Sequence, residues 1–130
     1  MEPQDMKIML VEDNPDDVAL TQKILRYNRL DRGLVIAANG KDAVDALERQ
    51  GKEGRPPDII LLDINLPDMS GIDLLTKINK DPRWKGIPVV MLTGSNIDDD
   101  IQRSYDLGAK TYLVKPISQD ALMLVIRNLL

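Results

Sequence analysis

The residues able to do chemistry in this sequence stand directly after runs of apolar ones. Glu12 and Asp13 follow Ile8-Met9-Leu10-Val11, and Asp63 follows Ile59-Ile60-Leu61-Leu62. Thr93 follows Val89-Val90-Met91-Leu92, and Lys115 follows Tyr112-Leu113-Val114. If the apolar runs are neighbouring strands, the three carboxylates converge with Thr93 and Lys115 on their flanks. Converging carboxylates repel one another, so the cluster needs a cation. Carboxylate and carbonyl oxygens, with neither sulfur nor imidazole, select Mg²⁺, with Mn²⁺ or Ca²⁺ able to substitute. An octahedral ion that keeps several waters leaves room for a phosphoryl oxygen. A carboxylate such as Asp63 can attack phosphorus and form an aspartyl phosphate. The Lys115 ammonium then offsets phosphoryl charge, and the Thr93 hydroxyl can donate a hydrogen bond to one oxygen. Each residue also has a plainer reading: an acidic pair before a capped helix, a solvated lysine, a helix-capping threonine. Four strands ending this way is what favours a shared site.

The elements that must position these residues alternate along the chain. Runs rich in Ile, Leu and Val at Lys7–Val11, Leu34–Ala38, Asp58–Leu62, Pro88–Leu92 and Thr111–Val114 are apolar on consecutive residues. That pattern predicts parallel strands covered on both faces. Helical spacing predicts helices over Pro15–Tyr27, Lys41–Gln50, Gly71–Asn79, Asp98–Leu107 and Gln119–Leu130. Asn14-Pro15 reads as an N-cap with proline at the first helical position, and Asp16 and Asp17 suit that helix start. Asp98-Asp99-Asp100 reads as the same kind of helix-start charge cluster rather than a second metal site. Gly108 sits where a left-handed C-cap residue is expected. The stretch Gly51–Pro57 reads as a loop. Five β-α units imply an α/β domain with a parallel sheet and helices on both faces, and ligands in such sheets bind beyond the carboxyl ends of the strands, where the strand order reverses.

Composition narrows the function classes. The chain has 130 residues, enough for one domain over 1–130 with a core of its own. It contains no cysteine and no histidine. Disulfide and thiol chemistry are excluded, as are imidazole bases, and a cytoplasmic setting is expected. A net charge of −4 argues against direct contact with nucleic acid. Apolar runs such as Ala121–Ile126 are too short to span a membrane, and the polar start Met1–Asp5 does not read as a signal peptide.

Val11-Glu-Asp-Asn14, Leu62-Asp-Ile-Asn-Leu-Pro-Asp-Met-Ser-Gly71, Leu92-Thr-Gly94 and Val114-Lys-Pro116 together resemble the motifs of response-regulator receiver domains. These are the flavodoxin-like domains of two-component signalling, and the resemblance covers essentially the whole chain. It implies a (βα)5 doubly wound sheet in strand order 2-1-3-4-5. It also implies Glu12 and Asp13 as the acidic pocket, Asp63 as the phosphoacceptor and the Asn65 backbone carbonyl as a further metal ligand. Thr93 would be the switch hydroxyl, Tyr112 the switch aromatic and Lys115 the phosphate-contacting lysine, with a cis Lys115–Pro116 bond. Gly94 would leave room for the phosphate. The Asp81-Pro-Arg-Trp84…Ile87-Pro88 segment is most similar to stand-alone receivers of the cyanobacterial phytochrome-associated kind.

The expectation is therefore a phosphorylation-controlled switch without turnover on an external substrate. It takes its phosphoryl group from a sensor histidine kinase or histidine phosphotransfer protein and acts through a downstream protein rather than a fused output domain. A phosphatase with an aspartate nucleophile is disfavoured because Asn65, two residues after Asp63, cannot donate a carboxyl proton. A nucleotide- or flavin-binding module is disfavoured because Glu12-Asp13 stands where a glycine-rich phosphate turn belongs. A receiver that has lost phosphorylation is disfavoured by the intact acidic, threonine and lysine set. In the last helix, Leu122, Val125, Ile126 and Leu129 are expected to face the sheet. That leaves Met123, Leu124 and Leu130 partly outward, a surface for a partner or a homodimer.

Overall fold

The computed structural model describes residues 5–94 and 98–129, with backbone only for Asp98 and Asp99. The helix-start reading of the Asp98 and Asp99 side chains, the polar start before Asp5 and the outward Leu130 lie outside the described residues. Five strands, β1 (Ile8–Val11), β2 (Val35–Ala37), β3 (Ile59–Asp63), β4 (Val89–Thr93) and β5 (Thr111–Val114), alternate with five helices. These are α1 (Pro15–Tyr27), α2 (Gly40–Lys52), α3 (Gly71–Lys80), α4 (Asp98–Asp106) and α5 (Gln119–Leu129). All pairings are parallel, in the order β2-β1-β3-β4-β5 that the motifs implied.

The unbroken apolar character of the strands has a direct cause. Met9, Val11, Ile60, Leu62, Val89 and Met91 pack against α2 and α3 through Leu47, Leu74, Leu75 and Ile78. The alternate residues Ile8, Leu10, Ile59, Leu61, Val90 and Leu92 pack on the other face against Ile24 and Leu25 of α1 and Leu122 and Ile126 of α5. Both faces are therefore core, and a polar side chain inside a central strand would be buried without a partner. Only at or past the carboxyl ends of the strands can charged groups gather partners. In α5, Leu122 and Ile126 are buried, Met123, Val125 and Leu129 are half-buried, and Leu124 is 58% exposed.

Helix ends explain where the boundaries differ from those predicted. Asn39 caps α2 by accepting the Asp42 N–H on its side-chain oxygen at 2.7 Å, so the helix begins at Gly40. It also continues through Gly51 to Lys52, because Gly51 has an ordinary helical setting and the turn is made instead at Gly54, with φ +104°. The same closing bond recurs at three helix ends: Leu30 N–H to Leu25 O, Arg55 N–H to Gln50 O, and Ala109 N–H to Ser104 O. Each spans a left-handed residue, respectively Arg29 (φ 59°), Gly54 and Gly108. β2 is shorter than its apolar run and pairs only with β1.

Candidate functional site

The chain runs from β1 outward to β2, then back past β1 to β3, so the strand order reverses between β1 and β3. Glu12 and Asp13 leave β1 at this point. The Glu12 N–H donates to Ala37 O at 3.0 Å, continuing the strand pairing one residue further. Its Oε1 accepts the Asn14 N–H at 3.1 Å. Asn14 Oδ1 in turn accepts the N–H groups of Asp16 and Asp17 at 2.9 and 3.1 Å, and Pro15 needs no donor partner at the first helical position. One short run thus fixes the acidic arm and the start of α1 together.

Asp63 is the last residue of β3. The Asn65 N–H donates to Asp63 Oδ1 at 3.2 Å, and the Ile64 N–H donates to Leu92 O at 3.0 Å. The loop then folds back on itself: the Gly71 N–H donates to Ile64 O at 2.6 Å, and Asn65 bridges Ser70. Asp68 ties the same loop to α2 by accepting the N–H groups of Gly40 and Lys41 at 2.8 and 2.9 Å, bonds that hold its carboxyl below the usual range. Lys115 follows β5, with its N–H donating to Thr93 O at 2.7 Å and a cis peptide bond to Pro116 as the motif implied.

These elements converge. Lys115 Nζ lies 2.7 Å from Glu12 Oε2, 3.1 Å from Asp17 Oδ2 and 3.2 Å from Asp63 Oδ2. Glu12 is 1% exposed and the Asp63 side chain 7%, so these charges interact through little water. Burial raises the Glu12 carboxyl above its ordinary value; Lys115 and Asn14 oppose this and the Asp63 charge reinforces it. Burial alone would lower the Lys115 ammonium, but Glu12, Asp17 and Asp63 together raise it, so it stays charged. Three carboxylates, Glu12, Asp17 and Asp63, with exposed Asp13 as a fourth beside them, share the Lys115 ammonium at an open cavity of about 430 Å³ lined also by Asn65 and Gly94.

That imbalance suits a divalent cation. Glu12, Asp13 and Asp63 each offer an oxygen within 4.8 Å of the others. Glu12 Oε2 is fully buried and accepts no well-formed hydrogen bond, although the Lys115 ammonium stands 2.7 Å away. The donor set is hard oxygen throughout.

Of the residues expected at the site, the structure brings together Glu12, Asp13, Asp63, Asn65, Gly94 and Lys115. Thr93, buried one residue before Gly94, ends β4 beside them. Tyr112 stands further back, half-buried, with its ring edge-to-face against exposed Tyr105 at 6.3 Å. In sequence Asp17 reads only as a helix-start charge; the fold adds its contact with Lys115. The signal for it was its place one helical turn after Asn14, on a helix that begins at the site. A second cavity, about 370 Å³ over buried Trp84, lies at the opposite end of the sheet, where Arg83 stacks on the indole at 4.4 Å and pairs with Glu48 and Asp81. It gathers no carboxylate cluster of this kind.

Comparison with known proteins agrees with this geometry. Residues 8–127 match the response regulator receiver domain family. Response regulator Rcp1 of Synechocystis sp. (strain ATCC 27184 / PCC 6803 / Kazusa) is 43% identical over 110 residues, which is 83% of this chain and 75% of that protein. The crystal structure of the phosphorylated cyanobacterial phytochrome response regulator RcpA superposes with a TM-score of 0.79 at 38% identity, covering 95% of this chain and 89% of the other. The Mn²⁺-bound form of Rcp1 gives a TM-score of 0.77 at 36% identity, over 95% and 90% of the two chains.

Proposed function

This chain belongs to the response-regulator receiver domain family, a phosphorylation-dependent signalling switch, and from that premise we propose how its residues divide the work. Asp63 is the phosphoacceptor. One of its carboxylate oxygens forms a bond to phosphorus while the P–N bond of a phosphohistidine on a partner kinase or phosphotransfer protein breaks, the electron pair leaving on the imidazole nitrogen. Lys115 neutralises charge on the phosphoryl oxygens, from a position it already occupies 3.2 Å from Asp63. The Thr93 hydroxyl donates to a phosphoryl oxygen, and Gly94 leaves that approach open.

Glu12, Asp13, Asp63 and the Asn65 backbone carbonyl hold the divalent cation, for which Mg²⁺ is the proposed occupant. When bound it offsets negative charge on the phosphoryl group. Acidic clustering supports this reading, as does the Mn²⁺ bound in the Rcp1 structure.

The output is a change of surface. Tyr112 packs against Tyr105 of α4, so movement of Thr93 toward a phosphoryl group alters the face of α4, β5 and α5. Shifting such a two-state equilibrium from 1:99 to 99:1 takes about 5.5 kcal/mol of differential stabilisation. Val114 and Leu124, 37% and 58% exposed, give this face an apolar surface for a downstream protein or for a second copy of the chain through α5. No helix among the described residues is long and apolar enough to cross a membrane. The proposed setting is the cytoplasm, where histidine kinases present their phosphoryl groups.

The observation that carries this reading is the ion-paired triad of Glu12, Asp63 and Lys115 at the strand-order reversal. Incubation with acetyl phosphate and MgCl₂ tests it: wild type gains one phosphoryl group by intact mass, while Asp63→Asn and EDTA-treated protein gain none. Equal labelling of Asp63→Asn would refute the assignment. Sedimentation with and without BeF₃⁻ tests self-association, which an unchanged monomer would rule out.

A further inference from the structure

We propose that Asp17 is a positioning residue that competes with the phosphoryl group for Lys115 and so favours the unphosphorylated state. This rests on Asp63 being the phosphoacceptor. An ammonium has three donors and no more. Lys115 Nζ meets three carboxylate oxygens, from Glu12 at 2.7 Å, Asp17 at 3.1 Å and Asp63 at 3.2 Å. The ammonium is thus already ion-paired with three carboxylates before any phosphoryl group arrives.

The three partners are not equivalent. Glu12 is buried, the Asn14 N–H holds its other oxygen, and Lys115 at 2.7 Å is the nearest partner of its charge in this structure. Asp63 is consumed as a carboxylate by the reaction itself. Asp17 is different: its side chain is 29% exposed, and the three oxygens gathered for a cation come from Glu12, Asp13 and Asp63. Its position is set by the helix start, where its N–H donates to Asn14 Oδ1. A phosphoryl group on Asp63 brings a second anion to the same ammonium, and Asp17 stands fixed beside it as a like charge. Removing the Asp17 charge relieves that competition and leaves no buried charge uncovered.

The test is a ¹⁹F NMR titration of BeF₃⁻, a phosphoryl analogue, at saturating MgCl₂. Asp17→Asn keeps the side-chain shape and the backbone bond to Asn14. It is expected to bind BeF₃⁻ about two- to fivefold more tightly than wild type, a range suited to one partly exposed charge contact. Asp17→Glu is expected to restore wild-type affinity. Asp16→Asn removes an equal charge from the same exposed helical turn, without the contact to Lys115, and is expected to bind as wild type does. Unchanged or weaker binding by Asp17→Asn overturns the proposal, because Asp17 then supports Lys115 rather than competing for it. Equal tightening by Asp16→Asn also overturns it, since the effect would be general charge. If wild type binds no BeF₃⁻ with Mg²⁺ present, the phosphoacceptor reading fails and this inference falls with it.

Discussion

Gly71 is the residue where the described geometry makes its sharpest energetic demand. A Cβ built there would lie 2.0 Å from Asp63 O, 2.8 Å from Ile64 Cα and 2.9 Å from Asp63 C. Ordinary carbon contacts fall at roughly 3.5–4.0 Å, so Gly71→Ala must push main chain aside by more than an ångström. The atoms in the way are backbone and cannot rotate clear. Overpacking of this kind costs about 1–3 kcal/mol and occasionally more. The displaced Gly71 N–H to Ile64 O bond, 2.6 Å long, adds about 1 kcal/mol. We therefore expect a loss of about 2–4 kcal/mol, a large share of the roughly 5–15 kcal/mol that holds a domain together. Two other glycines calibrate the effect. At Gly40 the added carbon meets only Met69 side-chain atoms, at 2.5–2.7 Å, and a flexible thioether can turn away. At Gly51 nothing lies within 4 Å, so alanine in that last helical turn should stabilise by about 0.5 kcal/mol. The assay is urea unfolding followed by the fluorescence of Trp84, the single tryptophan, which is 3% exposed. The expected order of midpoints is Gly51→Ala, wild type, Gly40→Ala, Gly71→Ala. A Gly71→Ala midpoint equal to that of wild type would refute the close approach of this loop to Asp63.

Two further predictions concern regions away from the site. Arg29 occupies the left-handed C-cap position that Gly54 and Gly108 fill at the other two ends of this type, so Arg29→Gly should stabilise by about 1 kcal/mol; a lower urea midpoint would contradict this. The Arg83 side chain hydrogen-bonds Glu48 and Asp81 and holds both carboxyls below their ordinary values. A carboxyl lowered on folding contributes stability that is full above its unfolded value and lost as pH falls through the folded one. Wild type should therefore exceed Glu48→Gln in urea midpoint at neutral pH, with the gap closing below 4.5, the ordinary Glu48 value. A gap independent of pH would show that packing, rather than charge, separates the two.

Much of the fold and site was legible in the sequence because both depend on one rule. Ile59–Leu62 is apolar without interruption since α-helices cover both sheet faces, and such a strand can change to carboxylate only where it leaves the core, at Asp63. Glu12, Asp13 and Lys115 are readable for the same reason. What was not legible depends on distances between chain segments. Asp17 looks like any acidic residue in a first helical turn until β5 places Lys115 beside it. Asp68 reads as a loop residue, and only the approach of α2 turns it into a partner for Gly40 and Lys41. Gly51 reads as a breaker, yet the helix passes through it because the left-handed turn is delegated to Gly54. The role of Tyr112 rests on motif resemblance, since a strand tyrosine reads equally as packing.

The central claim is that Asp63, rather than a neighbouring carboxylate or hydroxyl, receives the phosphoryl group. Borohydride reduction tests this most directly, since it converts an aspartyl phosphate to homoserine that peptide sequencing by mass spectrometry can place. After phosphorylation with Mg²⁺, the account predicts homoserine at position 63, dependent on the metal. A reduced residue at 12, 13 or 17, or a label on a hydroxyl that resists reduction, would contradict it.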